Sequence, residues 1–189
     1  PVLQANGAKT DYWKTGHSYI KRRVAELDAI AGFEKSGHFF FNAPLGRGYD
    51  DGLVSALAIL EMLDRNPDRS MSELRGALPK TWQTPTMSPH CPDEIKYDVI
   101  DRIVARIEAM AAAGEEVAGQ KVVDLITVNG IRVVLEDGTW GLVRASSNKP
   151  ELVVVVESPT SEANMRAMFA AVDGVMRENP EVGAYNQSI

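Results

Sequence analysis

Apolar residues recur every three or four positions in five segments of the chain, which is the spacing of one face of an α-helix. This pattern predicts helices over residues 19–27, 51–66, 72–78, 92–113 and 161–179. Serine stands where three of these helices begin, and the predicted N-caps are Ser18, Ser72 and Ser161. A stripe of methionines in the last helix favours packing in a core.

Short runs of β-branched and aromatic residues lie between the helices and predict strands. The runs cover residues 9–13, 29–33, 38–41, 121–128, 131–135, 139–144 and 152–157. The dipeptides Asn129-Gly130 and Asp137-Gly138 separate later runs and are favoured in two-residue hairpin turns. The second half is therefore predicted to be an α+β sandwich in which an antiparallel sheet packs on two helices.

A proline-rich segment divides the chain. Four prolines fall within fourteen residues, at positions 79, 85, 89 and 92, and Thr and Ser occupy much of the space between them. Such a composition is typical of a domain boundary. We predict a first domain over residues 1–85, a linker over 86–91 and a second domain over 92–189.

Composition narrows the class of protein. With 189 residues, of which 44% are apolar, the chain is large enough for one large domain or two small ones with real cores. No run approaches the roughly 20 apolar residues of a membrane span, so no membrane partner is expected. The net charge of −6 argues against nucleic acid as a partner, because a basic face would be needed.

Cysteine and histidine are scarce. The single cysteine, Cys91, excludes an intramolecular disulfide and favours a reducing compartment, so we expect a cytoplasmic protein. The histidines are His17, His38 and His90, and no pair has zinc-ligand spacing, so no metal site is predicted. Asp50 and Asp51 are expected to stabilise the positive end of the helix that follows them rather than to bind a metal.

The segment from Arg144 to Pro150 carries the clearest chemistry. Its polar members are Arg144, Ser146, Ser147, Asn148 and Lys149. A guanidinium presents a fork of donors that matches phosphate oxygens, and small polar residues leave backbone N–H groups able to converge on the same anion. The same residue types are also common in ordinary polar turns, so both interpretations stay open on these residues alone.

Four motifs occur in a familiar order and spacing. They are Lys14-Thr15-Gly16-His17-Ser18, Glu34-Lys35-Ser36-Gly37-His38, Tyr49-Asp50-Asp51-Gly52 and Arg144-Ala145-Ser146 through Pro150. Together they resemble the phosphomannomutase/phosphoglucomutase family, the α-D-phosphohexomutases, whose members have four domains. The resemblance implies a partial three-layer α/β/α domain, equivalent to most of domain three, followed by the small α+β domain four.

The resemblance also implies roles for residues. In the family the second motif binds hexose hydroxyls, and the implied sugar-binding residues are Glu34, Ser36, His38, Lys14 and His17. The implied phosphate-binding residues are Arg144, Ser146, Ser147, Asn148 and Lys149. His38 and His17 are candidates for acid–base catalysis, and a purely hydrogen-bonding role is an equal alternative for each.

Two loops depart from the family pattern. Phe33 and Lys35 replace the usual Gly and Met of the sugar loop, and Ser147-Asn148-Lys149 replace the usual Asn-Thr of the phosphate loop. The exchanges keep hydrogen-bond donors in the phosphate loop and add a second cation. The ligand class implied by the family is therefore retained.

The implied activity of the parent enzyme is isomerisation of hexose 1-phosphates and hexose 6-phosphates of mannose or glucose, through a phosphoserine and Mg²⁺. Neither the family's phosphoserine motif nor its Asp-rich metal motif occurs in these 189 residues. We therefore expect an inactive recognition fragment that needs the missing N-terminal domains of the same protein. The start at Pro1, within what resembles the end of a helix, favours a fragment.

A second hypothesis is a non-catalytic module that binds sugar phosphates or another protein. Under the fragment hypothesis, the first domain lacks part of its sheet and is expected to be the less stable half, with a tendency to associate.

Overall fold

The protein is described by a computed structural model that covers residues 2–189. The chain divides into two compact units, one ending at Pro79 and the other covering Lys80–Ile189. The elements of the first unit are α1 (Val2–Ala5), α2 (His17–Glu26), β1 (Ala31–Phe33), β2 (Phe39–Phe41), β3 (Tyr49–Asp50), α3 (Gly52–Asp64) and α4 (Met71–Gly76).

The first unit is built on a small antiparallel sheet in the order β1-β2-β3. Its α2 packs closely on this sheet, because a Cβ added at Gly32 of β1 would collide with the side chains of Ile20 and Val24. Val24 and Phe40 are buried there. Among residues 2–79 they are the fully buried hydrophobic residues, so this core is small.

One strand and two helix caps predicted for the first unit are wrong. Residues 9–13 form no strand, since no described residue pairs with them and a strand needs a hydrogen-bonded neighbour. The second helix has Gly16 as its N-cap with no side-chain cap, and Ser18 lies inside it. The fourth helix is capped by Ser70, which exchanges hydrogen bonds with Glu73 in a capping box, rather than by Ser72.

The second unit contains the larger sheet. Its elements are β4 (Trp82–Gln83), α5 (Lys96–Ala112), β5 (Val122–Ile126), β6 (Ile131–Leu135), β7 (Trp140–Ala145), β8 (Leu152–Ser158) and α6 (Glu162–Arg177). The strands are antiparallel in the order β4-β8-β7-β6-β5. The two helices contact each other and β7, as the predicted sandwich requires.

The core of the second unit lies between the sheet and the two helices. The buried helix residues in it are Val99, Ile100, Ile103, Ile107, Met165, Met168, Val172, Val175 and Met176. The methionine stripe is thus confirmed as core packing. Gly141 lets α6 approach β7, because a Cβ there would lie 2.9 Å from the terminal carbon of Met168.

Both predicted hairpins form. Gly130 has a φ of 71° and Gly138 a φ of 84°, in the left-handed region that glycine adopts at little cost. A side chain at Gly130 would also collide with the carbonyl oxygen of Val143 on the neighbouring strand. This turn therefore requires glycine for both its backbone conformation and its space.

The start of α5 differs from the prediction. The helix begins at Lys96 rather than at Pro92, because residues 92–95 form a turn in which the N–H groups of Ile95 and Lys96 both donate to the carbonyl of Pro92.

No helix among residues 2–189 has the length and apolar character needed to cross a membrane.

The proline-rich segment is part of the second unit. β4 pairs with β8, Met87 forms a bridge with Val154, and the side chain of Cys91 is fully buried. The second unit thus begins at Lys80, whereas the boundary predicted from the sequence lies after residue 85 with a linker over 86–91. Within this segment the N–H groups of Thr84 and Met87 donate to carbonyls of β8.

Candidate functional site

A tight turn connects β1 to β2 and carries the motif that resembles the sugar loop. The N–H of Glu34 donates to the carbonyl of His38 and that of Gly37 to the carbonyl of Glu34, each at 3.0 Å. Gly37 has a φ of 91°, which favours glycine. Ser36 and His38 are exposed on this turn, while Glu34 is half-buried.

The segment around Gly16 lies against the same turn. The N–H of Gly16 donates to Oε1 of Glu34 at 2.8 Å, which joins residues 18 positions apart. His17 follows and packs edge-on against Phe40, with ring centroids 5.4 Å apart. The structure therefore brings Glu34 and the Gly16-His17 segment together, and it fixes the carboxylate of Glu34 with a backbone donor.

Lys14 has a different neighbour. Its Nζ lies 5.9 Å from the centroid of the Tyr19 ring, which is the distance of a cation–π contact. Lys14 is exposed, as is His17. Both side chains are thus accessible, and Lys14 contacts Tyr19 of α2.

His38 forms a pair with Asp50. Nδ1 of His38 lies 2.6 Å from Oδ2 of Asp50, and the N–H of Phe39 donates to Oδ1 of the same carboxylate at 3.3 Å. This contact arises because β3 pairs with β2 and places Asp50 opposite Phe40.

The neighbouring residues Asp50 and Asp51 thus have different hydrogen-bond partners. Asp51 accepts hydrogen bonds from the N–H groups of Leu53 and Val54 and caps α3, as predicted. The helix-start role assigned to Asp50 is wrong, because its carboxylate faces His38 and Phe39 instead. The available signal is the position of Asp50, one residue before the N-cap Asp51, since the N-cap side chain is the one that accepts hydrogen bonds from the first turn.

The phosphate-loop motif begins with the last two residues of β7 and continues through the connection to β8. Arg144 is half-buried, and residues 147–150 are exposed. Ser146 is buried, where its N–H donates to the carbonyl of Glu151 at 3.0 Å and its hydroxyl donates to Oδ1 of Asn148 at 3.2 Å. Ser146 therefore shapes the loop from inside, while Ser147, Asn148 and Lys149 form its outer surface.

A buried lysine supports this loop. The side chain of Lys96 is only 4% exposed, and its Nζ donates to the carbonyl of Lys149 at 2.9 Å and to Asp93 at 2.7 Å. The N–H of Cys91 also donates to the carbonyl of Pro150 at 2.9 Å. The loop is thus held at two successive carbonyls, one by the first residue of α5 and the other by the segment that precedes this helix.

Lys96 is a residue that the sequence interpretation missed. It stands three and four positions before Val99 and Ile100, so it occupies the apolar face of α5, where a lysine is unusual. A buried ammonium at a helix N-terminus is opposed by the helix dipole and by desolvation, and it needs partners such as these. A lysine on an apolar stripe was the available signal.

The described residues offer neither a reactive thiol nor a metal-binding group. Cys91 is buried, and burial raises the pKa of its thiol, so it is a poor nucleophile. Among residues 2–189 no three His, Cys, Asp or Glu side chains form a group that could hold a metal ion. The family resemblance implies Mg²⁺ for the parent enzyme, at a metal motif that these 189 residues do not contain.

Comparison with known proteins gives two family matches. Residues 1–82 match the family described as "Phosphoglucomutase/phosphomannomutase, alpha/beta/alpha domain III". Residues 92–175 match the one described as "Phosphoglucomutase/phosphomannomutase, C-terminal domain". The two matches coincide with the two halves of the chain that carry the sugar-loop and phosphate-loop motifs.

Individual relatives agree with these matches. A phosphomannomutase/phosphoglucomutase of Pseudomonas putida is 32% identical over 182 residues, which is 96% of this chain and 36% of that protein. A phosphoglucomutase of Neisseria meningitidis serogroup A is 32% identical over 185 residues, which is again 96% of this chain and 36% of that protein.

A solved structure is also similar. A phosphoglucomutase/phosphomannomutase family protein of Burkholderia thailandensis aligns with a TM-score of 0.76 at 26% identity, over 98% of this chain and 36% of that one. The chain thus spans about a third of the length of the curated relatives it matches.

Proposed function

Because this chain belongs to the phosphoglucomutase/phosphomannomutase family, we propose that it recognises hexose phosphates, with sugar contacts in the first unit and phosphate contacts in the second. The substrates are glucose and mannose 1- and 6-phosphates. The proposed activity of the whole protein is their isomerisation through a phosphoserine. No phosphoserine motif of the family is present in the 189 residues, so the chain by itself is expected to be inactive.

The sugar-binding residues are those of the turn between β1 and β2. Glu34 offers a carboxylate that accepts hydrogen bonds from sugar hydroxyls, and Ser36 offers a hydroxyl that both donates and accepts. The hydrogen bond from Gly16 to Glu34 supports this role, since it fixes the carboxylate before a sugar arrives. Lys14 and His17 are exposed and complete the proposed sugar-binding set.

We assign proton transfer to His38. Its side chain is 53% exposed and Nδ1 is held by Asp50, which leaves the distal edge of the ring as the accessible part. His17 packs its ring on Phe40, and we give it a hydrogen-bonding role. A neutral imidazole accepts a proton at its free ring nitrogen, which suits the removal of a proton from a sugar hydroxyl during phosphoryl transfer.

The phosphate is proposed to bind at the loop after β7. Arg144 supplies a guanidinium, Lys149 a second cation, and Ser147 and Asn148 supply neutral donors. Ser146 contributes through its hydrogen bond to Asn148, which shapes the loop. The observation that carries this assignment is the tethering of an exposed, cationic loop by a buried ammonium at the carbonyl of Lys149.

Mg²⁺ is expected in the parent enzyme, where it would neutralise charge on the transferred phosphoryl group. No step proposed for this chain depends on it, because the described residues form no group suited to a metal. The cytoplasmic location inferred from the sequence stays a prediction.

The test is a calorimetric titration of the chain with glucose 1-phosphate and mannose 1-phosphate. We expect weak binding that Arg144→Ala reduces at least tenfold, since a charge-assisted bidentate contact is lost. Arg166→Ala removes an exposed arginine on α6 that pairs with Glu162, and it serves as the control with the same change in charge. Equal binding by wild type and Arg144→Ala would exclude the phosphate loop as the anchor.

A coupled assay tests the expected inactivity. The chain should not convert glucose 1-phosphate to glucose 6-phosphate, with or without Mg²⁺. Turnover by the purified chain would show that it carries its own phosphoryl-transfer group and would refute the recognition-fragment proposal.

A further inference from the structure

The pairing of Asp50 with His38 assigns a role that neither the motifs nor the relatives give. We propose that Asp50 is a positioning residue that keeps the proton on Nδ1 of His38, so that Nε2 is the nitrogen that exchanges protons with the ligand. The consequence for catalysis rests on the proposed function, whereas the protonation pattern of the ring does not.

The carboxylate of Asp50 is held at both oxygens. Oδ2 lies 2.6 Å from Nδ1 of His38, and Oδ1 accepts the N–H of Phe39 at 3.3 Å. The antiparallel pairing of Phe40 with Asp50 supplies the position of the carboxylate. Because the donor to Oδ1 is a backbone group of β2, rotation of the carboxylate away from His38 would break a second hydrogen bond.

The chemistry of the pair selects one tautomer. An ionised carboxylate only accepts hydrogen bonds, so a ring nitrogen 2.6 Å away must carry a proton. The opposite tautomer would place the lone pair of Nδ1 against the lone pairs of Asp50, which is repulsive. Nε2 then carries the free lone pair of the neutral ring, on the side of the imidazole away from the backbone.

This arrangement defines the proton's path in the proposed reaction. As the sugar hydroxyl attacks the phosphoserine of the parent enzyme, its O–H bond breaks and the proton moves to Nε2 of His38. The new bond joins the sugar oxygen to phosphorus, and the bond from phosphorus to the serine oxygen breaks, with its electron pair on that oxygen. Asp50 takes no proton and stabilises the imidazolium that forms.

Nuclear magnetic resonance tests the tautomer in this chain directly. Long-range ¹H–¹⁵N correlations distinguish a protonated ring nitrogen from an unprotonated one, and with three histidines the spectrum is simple. His38→Gln identifies the signals of His38. At a pH where the ring is neutral, we expect the Nδ1–H form for His38.

Asp50→Asn should reverse the pattern. The amide oxygen of asparagine can still accept the N–H of Phe39, while its NH₂ group faces Nδ1 and favours the Nε2–H form. Asp51→Asn is the matched control, because asparagine is as good an N-cap as aspartate and the N-cap of α3 does not contact His38. If Asp50→Asn fails to fold, Asp50→Ala should give a ring without a fixed Nδ1–H form.

The outcomes separate the two proposals. A protonated Nε2 in the folded wild type, or an unchanged Nδ1–H form in folded Asp50→Asn, would overturn the role of Asp50. A confirmed tautomer whose signals do not respond to glucose 1-phosphate would leave the role of Asp50 intact and count against the proposed sugar site. In the full-length parent, Asp50→Asn should lower kcat with little change in KM, as expected for a residue that acts through His38.

Discussion

The ammonium of Lys96 lies 2.9 Å from the carbonyl oxygen of Lys149, a residue 53 positions later in the chain. This hydrogen bond joins the first turn of α5 to the exposed loop between β7 and β8. The position of the loop is therefore coupled to a buried charge in the helix layer. A phosphate anchor benefits from such a coupling, because a loop that is ordered before binding loses less entropy when the ligand arrives.

Replacing this lysine should weaken ligand binding more than it weakens the fold. Lys96→Met keeps most of the buried volume, and the carbonyl of Lys149 still accepts the N–H of Glu151. We expect a loss of about 1 kcal/mol of binding free energy, or roughly fivefold in the dissociation constant of glucose 1-phosphate. Calorimetry measures it, with exposed Lys121→Met as the control for charge. Equal losses of binding free energy in both variants would show that Lys96 acts only through long-range charge and not through its hydrogen bond to the loop.

The carboxylate of Glu34 should protect the amide of Gly16 from hydrogen exchange with water. Hydrogen bonds to charged groups contribute about 1.5–3 kcal/mol, so Glu34→Ala should speed exchange of the Gly16 amide by roughly tenfold or more. Amide exchange followed by nuclear magnetic resonance measures the change. Ser36→Ala, on the same turn, should leave the Gly16 rate unaltered. A Gly16 amide that exchanges equally fast in wild type and Glu34→Ala would contradict the observed bond.

The first unit should be the less stable one. Leu53 and Leu60 of α3 are 71% and 60% exposed, and the second unit holds the large core cluster. Apolar area removed from water is the main source of stability, and residues 2–79 bury less of it than residues 80–189. The first unit therefore gains less stability from its core. Hydrogen exchange should show weaker protection there than in residues 80–189. Stronger protection of the first unit would show that its apolar surface is covered in solution, for instance by self-association, which sedimentation detects.

Acid should destabilise the second unit through Asp137. Burial raises the pKa of Asp137, but the N–H of Thr139 and the side chains of Thr160 and Asn164 donate to the carboxylate and hold its pKa well below the usual range. A lowered pKa in the folded state means that the stabilisation is present above the unfolded value of about 3.9 and is lost as the pH falls below it.

Asp137→Asn tests this linkage. The variant should lose about 1–3 kcal/mol of unfolding free energy at pH 7, because charge-assisted hydrogen bonds are weakened. Its stability should then depend less on pH between 5 and 3 than that of the wild type. Urea denaturation at several pH values gives both quantities, and Asp98→Asn on the exposed face of α5 is the control. Parallel curves for wild type and Asp137→Asn would assign the acid sensitivity to other groups.

Local signals in the sequence predicted what local physics controls. Asn129-Gly130 forms the expected turn, since its glycine adopts a positive φ that other residues resist. Ser161 caps α6 through the N–H of Asn164, three residues later. The strand predicted over residues 9–13 does not form, because a strand depends on distant partners as well as on local residue types. Residues that favour β-structure make a strand only where a neighbouring strand supplies hydrogen bonds.

The sequence by itself determined the family, the antiparallel sheet with its hairpins, the methionine core of α6 and the composition of the phosphate loop. Each depends on residue types within a few positions of one another or on motifs read in order. The tertiary structure alone decided that Asp50 lies beside His38 and that Lys96 donates to the carbonyl of Lys149, pairs that lie 12 and 53 positions apart. Such partners are set by strand register and helix packing, and short-range patterns carry no information about which distant groups will meet.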